Sequence, residues 1–487
     1  MEELEIFSNQ ELEMLENVKS AGINPYPIKF FTKDQAKDIK ADFASWEGKS
    51  VTVAGRVIAK REHGKAGFAT ILSNGTPIQI YFRKDTLGDD KFSIIKKAVT
   101  VGDIIGVTGT IFKTHTEEIT IDLQEVTLLS KALSPLPEKW HGIENVEVRY
   151  RQRYLDLIIN PGIREVFETR SKLIATIRKT LANQGYMEVE TPTLQEIYGG
   201  ALAKPFTTHH NALDQDLFLR IAPELYLKRL IIGGFEKVFE IGKMFRNEGI
   251  SINHNPEFTM MELYQAYGNF ETMMDITELI FKALCEEVIH TDTLEFKGQT
   301  IHMKFPFRRI TLKEAFQEYG KVSITDLKNM EFAKNYLKQE GIRIDKPLSW
   351  SSVVDEVLKK KVEPNLIDPT FLYDYPLPLS PLAKKKENDP DFVERFQLVL
   401  GTLEVGNAFT ELNDPVDQYE RFAGQEEARK SGDLDAHTFD KSYIDAMKFG
   451  LPPTGGLGLG IDRIVMILTG KESIREVLLF PQLRKRD

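Results

Sequence analysis

At 487 residues the chain is long enough for two or three domains, each with its own core. Its 41% hydrophobic and 28% charged residues match an ordinary soluble globular protein. No run reaches the apolar length of a membrane span, and "MEELEIFSNQELEML" lacks the basic-then-apolar order of a signal peptide, so a cytoplasmic protein is expected. The net charge of −10 argues against a protein that coats nucleic acid with clustered cations. Recognition through a few stacking and hydrogen-bonding side chains remains open. The lone Cys285 rules out an intrachain disulfide and a multi-cysteine zinc site, and reads as a small buried hydrophobe.

Residues 1–50 read as a charged helical arm broken by "GINPYP". From Val51 the pattern changes to short alternating runs, "VTVAGRVIAKR", "FATILS", "TPIQIYF", "DIIGVTGTIFKT" and "EITIDLQEVTLL". Five strands with Gly and Asn turns predict a small oligonucleotide-binding barrel (OB-fold) over 51–132. Between 51 and 130 there are ten Lys or Arg against nine Asp or Glu, so the barrel must read bases by stacking and not by charge alone. Residues 133–160, proline-punctuated and then basic, read as linker and hinge. From 161 to 487, helical and strand patterns mix without βαβ alternation, with a helix-rich insertion within 265–390. Val166, Leu173, Ile174, Ile177 and Leu181 share one helical face, and Gly185 marks the end of that helix. "YMEVETPTL" follows as a strand that Pro192 terminates.

Two strand-like runs, "KVFEIGKMFRNEG" and "EFTMMELYQAY", flank a polar loop. Alternation puts Phe258, Met260, Glu262 and Tyr264 on one face of the second run, and Glu240, Gly242, Met244, Arg246 and Glu248 on one face of the first. The opposite faces are apolar. The mixed face has the chemistry of a binding floor for a zwitterion beside a nucleotide: an arginine fork, an aromatic lid and acids for an ammonium. In "GTLEVGNAFTELNDP", Asn407, Phe409 and Glu411 share a face, and Glu404 joins them only if a bulge intervenes, with Gly406 as its natural place. An acid pair there could hold a divalent cation or be ordinary surface charge. "GLPPTGGLGLGIDRIVMILTG" sets Gly456, Gly458 and Gly460 before Asp462 and Arg463. It fails as a dinucleotide fingerprint and as a P-loop, which leaves close approach of a ligand or close strand–helix packing.

Assembled, these segments resemble the class II aminoacyl-tRNA synthetases, and among them those that charge lysine. The resemblance runs through "YRQRYLDLI", "EVETPTL", "APELYLKRL", "FEIGKMFRNEGISINHNPEFTMMELYQAY", "SPLAKKK", "LEVGNAFTELNDP" and "GLGLGIDRIVMIL", and covers nearly the whole chain. It implies an α+β protein, an OB-fold anticodon-binding domain followed by a catalytic domain whose mostly antiparallel sheet is flanked by helices. It also implies ATP, L-lysine and tRNA(Lys) as partners, Mg²⁺ with the ATP, and a homodimer in which the helix near 162–184 resembles the dimer element. Arg246 resembles the arginine bridging the amino acid's carboxylate and the α-phosphate, and with Arg463 it is the expected catalytic pair. Phe258 resembles the adenine-stacking aromatic with Arg463 on the other face; Glu248, His254 and Asn255 lie on the loop over ATP, and Glu404 borders it. Gly200 and Glu224 resemble the holders of the α-ammonium. Glu411 and Tyr264, backed by Glu262, resemble the readers of the ε-ammonium, with Asn407 and Phe409 beside them. In the barrel, Phe68 and Gln79 resemble the pair that stacks on and hydrogen-bonds an anticodon base, with Arg61 and Glu125 as neighbours.

One position departs from the family pattern. Gln397 stands where a metal-binding glutamate is common, so Mg²⁺ is expected to be held more weakly, through Glu404 and Glu411 with Gln397 as a poor third ligand. Three rivals share parts of this pattern. A relative charging aspartate or asparagine would need a cation where Glu262 and Glu411 stand. A protein-lysylating relative would lack the barrel, and a non-catalytic RNA-binding protein would lack Arg246, Glu248 or Arg463.

Overall fold

A computed structural model describes residues 6–137, 143–160, 162–201, 203–344, 347–430 and 438–485. The chain divides into two units, Met1–Arg164 and Glu165–Asp487.

In the first unit, α1 (Asn9–Ser20) starts at a capping box in which Ser8 and Glu11 satisfy each other's backbone N–H groups. Strands β1 (Ser50–His63), β2 (Ala66–Ser73), β3 (Thr76–Arg83), β4 (Ile104–Lys113) and β5 (Ile119–Ser130) close a barrel in the order β1-β2-β3-β5-β4. Alternation sends Val51, Val53, Ile71, Ile78, Ile80, Ile105, Val107 and Ile121 inward, all buried. The pattern-read strands match these five. A helix, Lys84–Ser93, lies between β3 and β4 and was not read from the sequence. The barrel also buries a charge pair, Lys131 Nζ at 2.8 Å from Asp103, which is tolerated because Thr100 Oγ1 and the Ala98 carbonyl accept the remaining protons. The segment expected as linker holds two short helices, Val146–Arg151 and Arg153–Ile159.

In the second unit, α2 (Ile163–Asn183) buries Val166, Leu173, Ile177 and Leu181 in the main core, with Ile174 at its edge. It ends in a Schellman motif: Gly185 adopts φ +80°, its N–H reaches the Ala182 carbonyl, and the Tyr186 N–H reaches that of Leu181. The apolar face expected of this helix is therefore spent on its own core. The strand expected over "YMEVETPTL" is shorter. Only β6 (Met187–Glu188) joins the main sheet, while Leu194–Gln195 pairs in a separate three-stranded sheet. Thr191, between them, turns aside to bond the Glu240 carboxylate at 2.7 Å.

The main sheet adds β7 (Lys237–Phe245), β8 (Glu257–Ala266), β9 (Arg308–Thr311), β10 (Thr370–Pro376), β11 (Phe392–Leu400), β12 (Leu403–Thr410) and β13 (Thr454–Gly460). Its order is β9-β10-β11-β12-β13-β8-β7-β6, parallel only at the β9–β10 and β7–β6 edges. One face, with Phe239, Met261, Leu263, Leu398, Ala408, Leu457 and Leu459, packs on α2, α4 (Phe270–Leu284) and α5 (Ile461–Leu468). Cys285 lies in this core as a free thiol, its pKa pushed up to about 11 by burial. The helix α3 (Glu224–Ile232) presents its first residue to the cavity on the opposite face of the sheet. Region 265–390 contains the helices Met330–Gln339 and Trp350–Val357 over a second core, but it also supplies β9 and β10 to the sheet.

Candidate active site

The face of the sheet opposite the main core floors a cavity of about 570 Å³. All fifteen second-unit residues expected to bind substrate or metal or to act in catalysis line it, from Gly200 to Arg463, whereas Gly242 and Met244 of the expected floor do not. The register explains why. Antiparallel pairing sets Met244 against Phe258, Gly242 against Met260 and Glu240 against Glu262, so the mixed faces of β7 and β8 coincide. Glu240 itself is withdrawn into an ion pair with Arg220, whose guanidinium crosses the floor in the space Gly242 leaves open.

On β12 the expected bulge is present. Leu398 faces Gly406 and Val399 faces Glu404, so Val405 is the extra residue. The bulge turns Glu404 to the same face as Asn407 and Phe409. In β13, Gly456, Gly458 and Gly460 face the cavity and pair with Tyr264, Glu262 and Met260. They make room for cavity side chains, and strand–helix packing falls to Leu457 and Leu459 on the other face.

At one end of the cavity stand the arginines. Arg246 lies over Phe258, 5.0 Å from the ring centroid, and its buried Nε has no hydrogen-bond partner among the described residues. A fork held this way is ready for an anion. Arg463, in the first turn of α5, donates to the Glu404 carbonyl at 2.6 Å and to His254 Nε2 at 3.1 Å. Burial, then the charges of Arg463 and Arg246, hold the His254 pKa below its usual value. The neutral ring can thus accept at Nε2 while Nδ1 bonds Ser251 Oγ at 2.8 Å. Asn255 Nδ2 is tied to the Glu257 carbonyl, leaving its buried Oδ1 without a partner among the described residues. Glu248 stays exposed at the rim. Asp462 anchors the scaffold, accepting from the Thr259 N–H at 2.7 Å and pairing with Arg170.

The other end is acidic. Glu224 opens α3 beside Gly200, whose φ is +84° and where a Cβ would stand 2.8 Å from that of Glu224, so only glycine lets the Glu224 side chain pass. Glu262 accepts from Tyr264 Oη at 3.1 Å, and its pKa is pushed up to about 8, first by burial and then by Glu224. Glu411 is fully buried, and Asn407 is oriented by Arg395, whose Nε donates to its Oδ1 at 2.8 Å. Sequence reasoning missed the cation among these acids. Lys228, fully buried one turn after Glu224, bonds Glu224 at 2.5 Å and is ion-paired with Glu411. Its i, i+4 spacing in "ELYLK" was a usable signal. Also missed were Asp355, Lys359 and Glu363, which reach the cavity from region 265–390.

The metal expectation needs correction. Glu404 and Glu411 lie seven residues apart along one strand, roughly 20 Å at about 3.3 Å per residue, so one cation cannot bind both. Glu411 belongs to the acidic end. Gln397 is buried with its Oε1 accepting from Tyr375 Oη at 2.6 Å, which leaves it poorly placed as a ligand. Glu404 faces the cavity near Glu363, whose pKa is pushed up to about 7 by burial and then by Glu404. That local excess of carboxylate fits a hard cation. Among the described residues, no group of three or more His, Cys, Asp or Glu could hold a metal ion by itself, so such a cation needs ligands from a bound molecule.

On the barrel, Arg61 pairs across from Phe68, both on the outer face with Gln79, whose Oε1 accepts from Thr120 at 2.9 Å. Tyr81 and Phe112, not singled out before, extend this face. Tyr81 lies 4.8 Å from Phe68 and 6.3 Å from Phe112 between ring centroids. Glu125 stands apart from them, three residues beyond the Tyr81–Asp122 pair, ion-paired with Lys91.

Residues 145–484 match the family described as tRNA synthetases class II (D, K and N), and residues 51–129 match the OB-fold nucleic acid binding domain. The chain is 50% identical over 486 residues to the lysine–tRNA ligase of Carboxydothermus hydrogenoformans, covering 100% of this chain and 99% of that protein. It is 49% identical to the lysine–tRNA ligase of Syntrophomonas wolfei, covering 98% and 96% of the two chains. Identity to that of Bacillus subtilis is 47%, over 97% and 96%. No helix among the described residues is long and apolar enough to cross a membrane. An OB-fold barrel, an eight-stranded synthetase sheet and full-length similarity at about half identity place the chain in the lysine–tRNA ligase family of class II aminoacyl-tRNA synthetases.

Proposed function

We infer that the cavity activates L-lysine with ATP and passes it to the 3′ end of tRNA(Lys). One observation carries the choice of lysine: three buried carboxylates, Glu224, Glu262 and Glu411, converge at the end of the cavity away from Arg246. Glu224 takes the α-ammonium beside Gly200, and Glu411, Glu262 and Tyr264 take the ε-ammonium, with Phe409 and Asn407 along the chain. A shorter or neutral side chain leaves a buried carboxylate unpaired, which is costly, so such substrates are rejected. Lys228 does not convert this into an aspartate site, because Glu224 and Glu411 already pair with it.

Arg246 orients the lysine carboxylate toward the α-phosphorus. A carboxylate oxygen forms the new P–O bond as the bond to pyrophosphate breaks, and no protein base is required because the nucleophile is already an anion. Arg246 and Arg463 offset the phosphoryl charge, and Phe258 and Arg463 hold the adenine. Mg²⁺ would be held by Glu404 with the nucleotide's phosphates, supplying further charge neutralisation. The terminal ribose hydroxyl of the tRNA then takes the lysyl group from the adenylate, releasing AMP, while Phe68, Gln79 and Arg61, with Glu125 further along the barrel, read the anticodon. The protein acts in the cytosol as a homodimer.

The test is amino-acid-dependent ATP–pyrophosphate exchange without tRNA, run with lysine, aspartate, asparagine and ornithine. Exchange with lysine alone is expected. Exchange with aspartate or asparagine, or none with any of the four from folded protein, would overturn the reading.

A further inference from the structure

The acidic end of the cavity contains a charge that the substrate does not bring. Lys228 Nζ sits between the Glu224 carboxylate, 2.5 Å away, and that of Glu411, and it lies 5.3 Å from the Phe409 ring and 5.9 Å from the Tyr264 ring. It therefore touches both the carboxylate assigned to the α-ammonium and the one assigned to the ε-ammonium. The side chain has no solvent exposure, so it is not a surface lysine that has folded inward. Glu411 keeps its other oxygen, Oε1, buried and without a hydrogen-bond partner among the described residues. That oxygen lies over the bare backbone of Gly456.

We propose that Lys228 is a specificity-determining positioning residue, a built-in cation that offsets one of the three carboxylates so that the cavity is left with two negative charges for the two ammonium groups of one lysine. The inference rests on assigning this end of the cavity to lysine.

Three carboxylates left in a buried cleft with no cation would neutralise themselves by taking up protons, since desolvation of a lone charge is expensive. A protonated carboxyl reads an ammonium poorly. Burial holds the Glu224 and Glu411 carboxyls above the ordinary value, Glu411 well above it, and Lys228, in contact with both, is the largest influence drawing them toward the charged form. Burial likewise works against the Lys228 ammonium, but Glu224 and Glu411 outweigh it and hold its pKa above the ordinary value. Glu262 makes no direct bond to Lys228, and burial pushes its pKa up to about 8. The other charged and titratable groups facing this cluster are Tyr264 on β8, Tyr443 on the helix Lys441–Met447, Arg395 on β11 and Arg246 beyond Glu262. An ammonium bridging both carboxylates also fixes the distance between the two subsites. A fixed spacing is what separates lysine from a diamino acid one methylene shorter.

Two measurements test this. Lys228→Met keeps the side chain's length and removes its charge. In exchange assays its KM for lysine should rise roughly tenfold or more, while its KM for ATP stays within about twofold. An unchanged lysine KM in folded Lys228→Met, or equal rises for both substrates, overturns the proposal. The second measurement needs no variant. Calorimetric titration of wild-type protein with lysine near pH 7, in buffers of low and high ionisation enthalpy, counts the protons released. About one proton or fewer per lysine is expected, because Lys228 touches Glu224 and Glu411 and leaves Glu262 as the one carboxyl of the three with no cation in contact. Release of about two or more would show that Lys228 does not keep Glu224 and Glu411 charged. Failure of the lysine assignment is separable from either result, since wild-type protein would then show no lysine-dependent exchange.

Discussion

At Gly456 the absence of a side chain is a requirement of its neighbours. A Cβ there would stand 2.0 Å from Glu411 Oε1 and 2.6 Å from the Tyr264 ring, closer than atoms approach. Gly456→Ala should therefore push Glu411 and Tyr264 aside without touching the arginines. The expected result is a lysine KM raised roughly tenfold to a hundredfold, with the ATP KM and the melting temperature little changed. Steady-state exchange kinetics check the split, and a parallel loss of ATP affinity would mean that the whole floor had moved. Glu262 is a titrating group of the acidic end. Its pKa of about 8 means that near pH 6 it is protonated and a weak acceptor for an ammonium. As pH rises through 8 it ionises, so kcat/KM for lysine should climb over that range. Glu262→Gln should flatten this limb at a low value. A wild-type profile that is level from pH 6 to 8.5 would place the ionisation elsewhere.

Strands explain which parts of the site were legible and which were not. Alternation along β8 and β12 sorted Glu262 and Tyr264 from Leu263, and Asn407 and Phe409 from Ala408, because a period of two survives into any sheet register. The bulge at Val405 could be suspected from Gly406 but not placed, since an extra residue shows only against its partner strand. Lys228 escaped because a helix end reading "ELYLKRL" looks like an ordinary amphipathic turn until β12 brings Glu411 against it. Asp355, Lys359 and Glu363 escaped because nothing in a helical surface pattern says that it overhangs the cavity face of a sheet. The barrel strands were read almost to the residue, yet Tyr81 and Phe112 passed as ordinary strand aromatics. The β11–β12 pair carries its own prediction. Its bulge leaves Glu404 as the one acid of the pair facing the nucleotide end, because position 397 holds an amide engaged by Tyr375. Gln397→Glu could keep the Tyr375 bond through one oxygen and offer the other to the cation. The Mg²⁺ concentration for half-maximal exchange should then fall, roughly severalfold. An unchanged Mg²⁺ requirement would show that Gln397 is no handicap.

The whole molecule divides its labour between two units with separate cores. The carboxylates, arginines and glycine strand that line the cavity all belong to the second unit, and the outer aromatic face of Phe68, Tyr81 and Phe112 belongs entirely to the first. Because Phe68 is half-exposed on the barrel and outside its buried core, Phe68→Ala removes a stacking surface and leaves the packing intact. Base–aromatic stacking contributes about 1–3 kcal/mol per base, so the KM for tRNA in the aminoacylation assay should rise roughly tenfold to a hundredfold. Lysine-dependent exchange, which needs no RNA, should be indistinguishable from wild type. Tyr81→Ala, at the centre of the aromatic row, should behave the same way, and Glu125→Gln should have a smaller effect because its carboxylate stands apart and is held by Lys91. If Phe68→Ala lowers exchange as much as aminoacylation, the barrel is not a separate reader of RNA and the two activities are coupled through the protein. If it lowers neither, the aromatic face is not where the anticodon stacks. The split between the two assays is the result that separates charging a specific RNA from activating an amino acid.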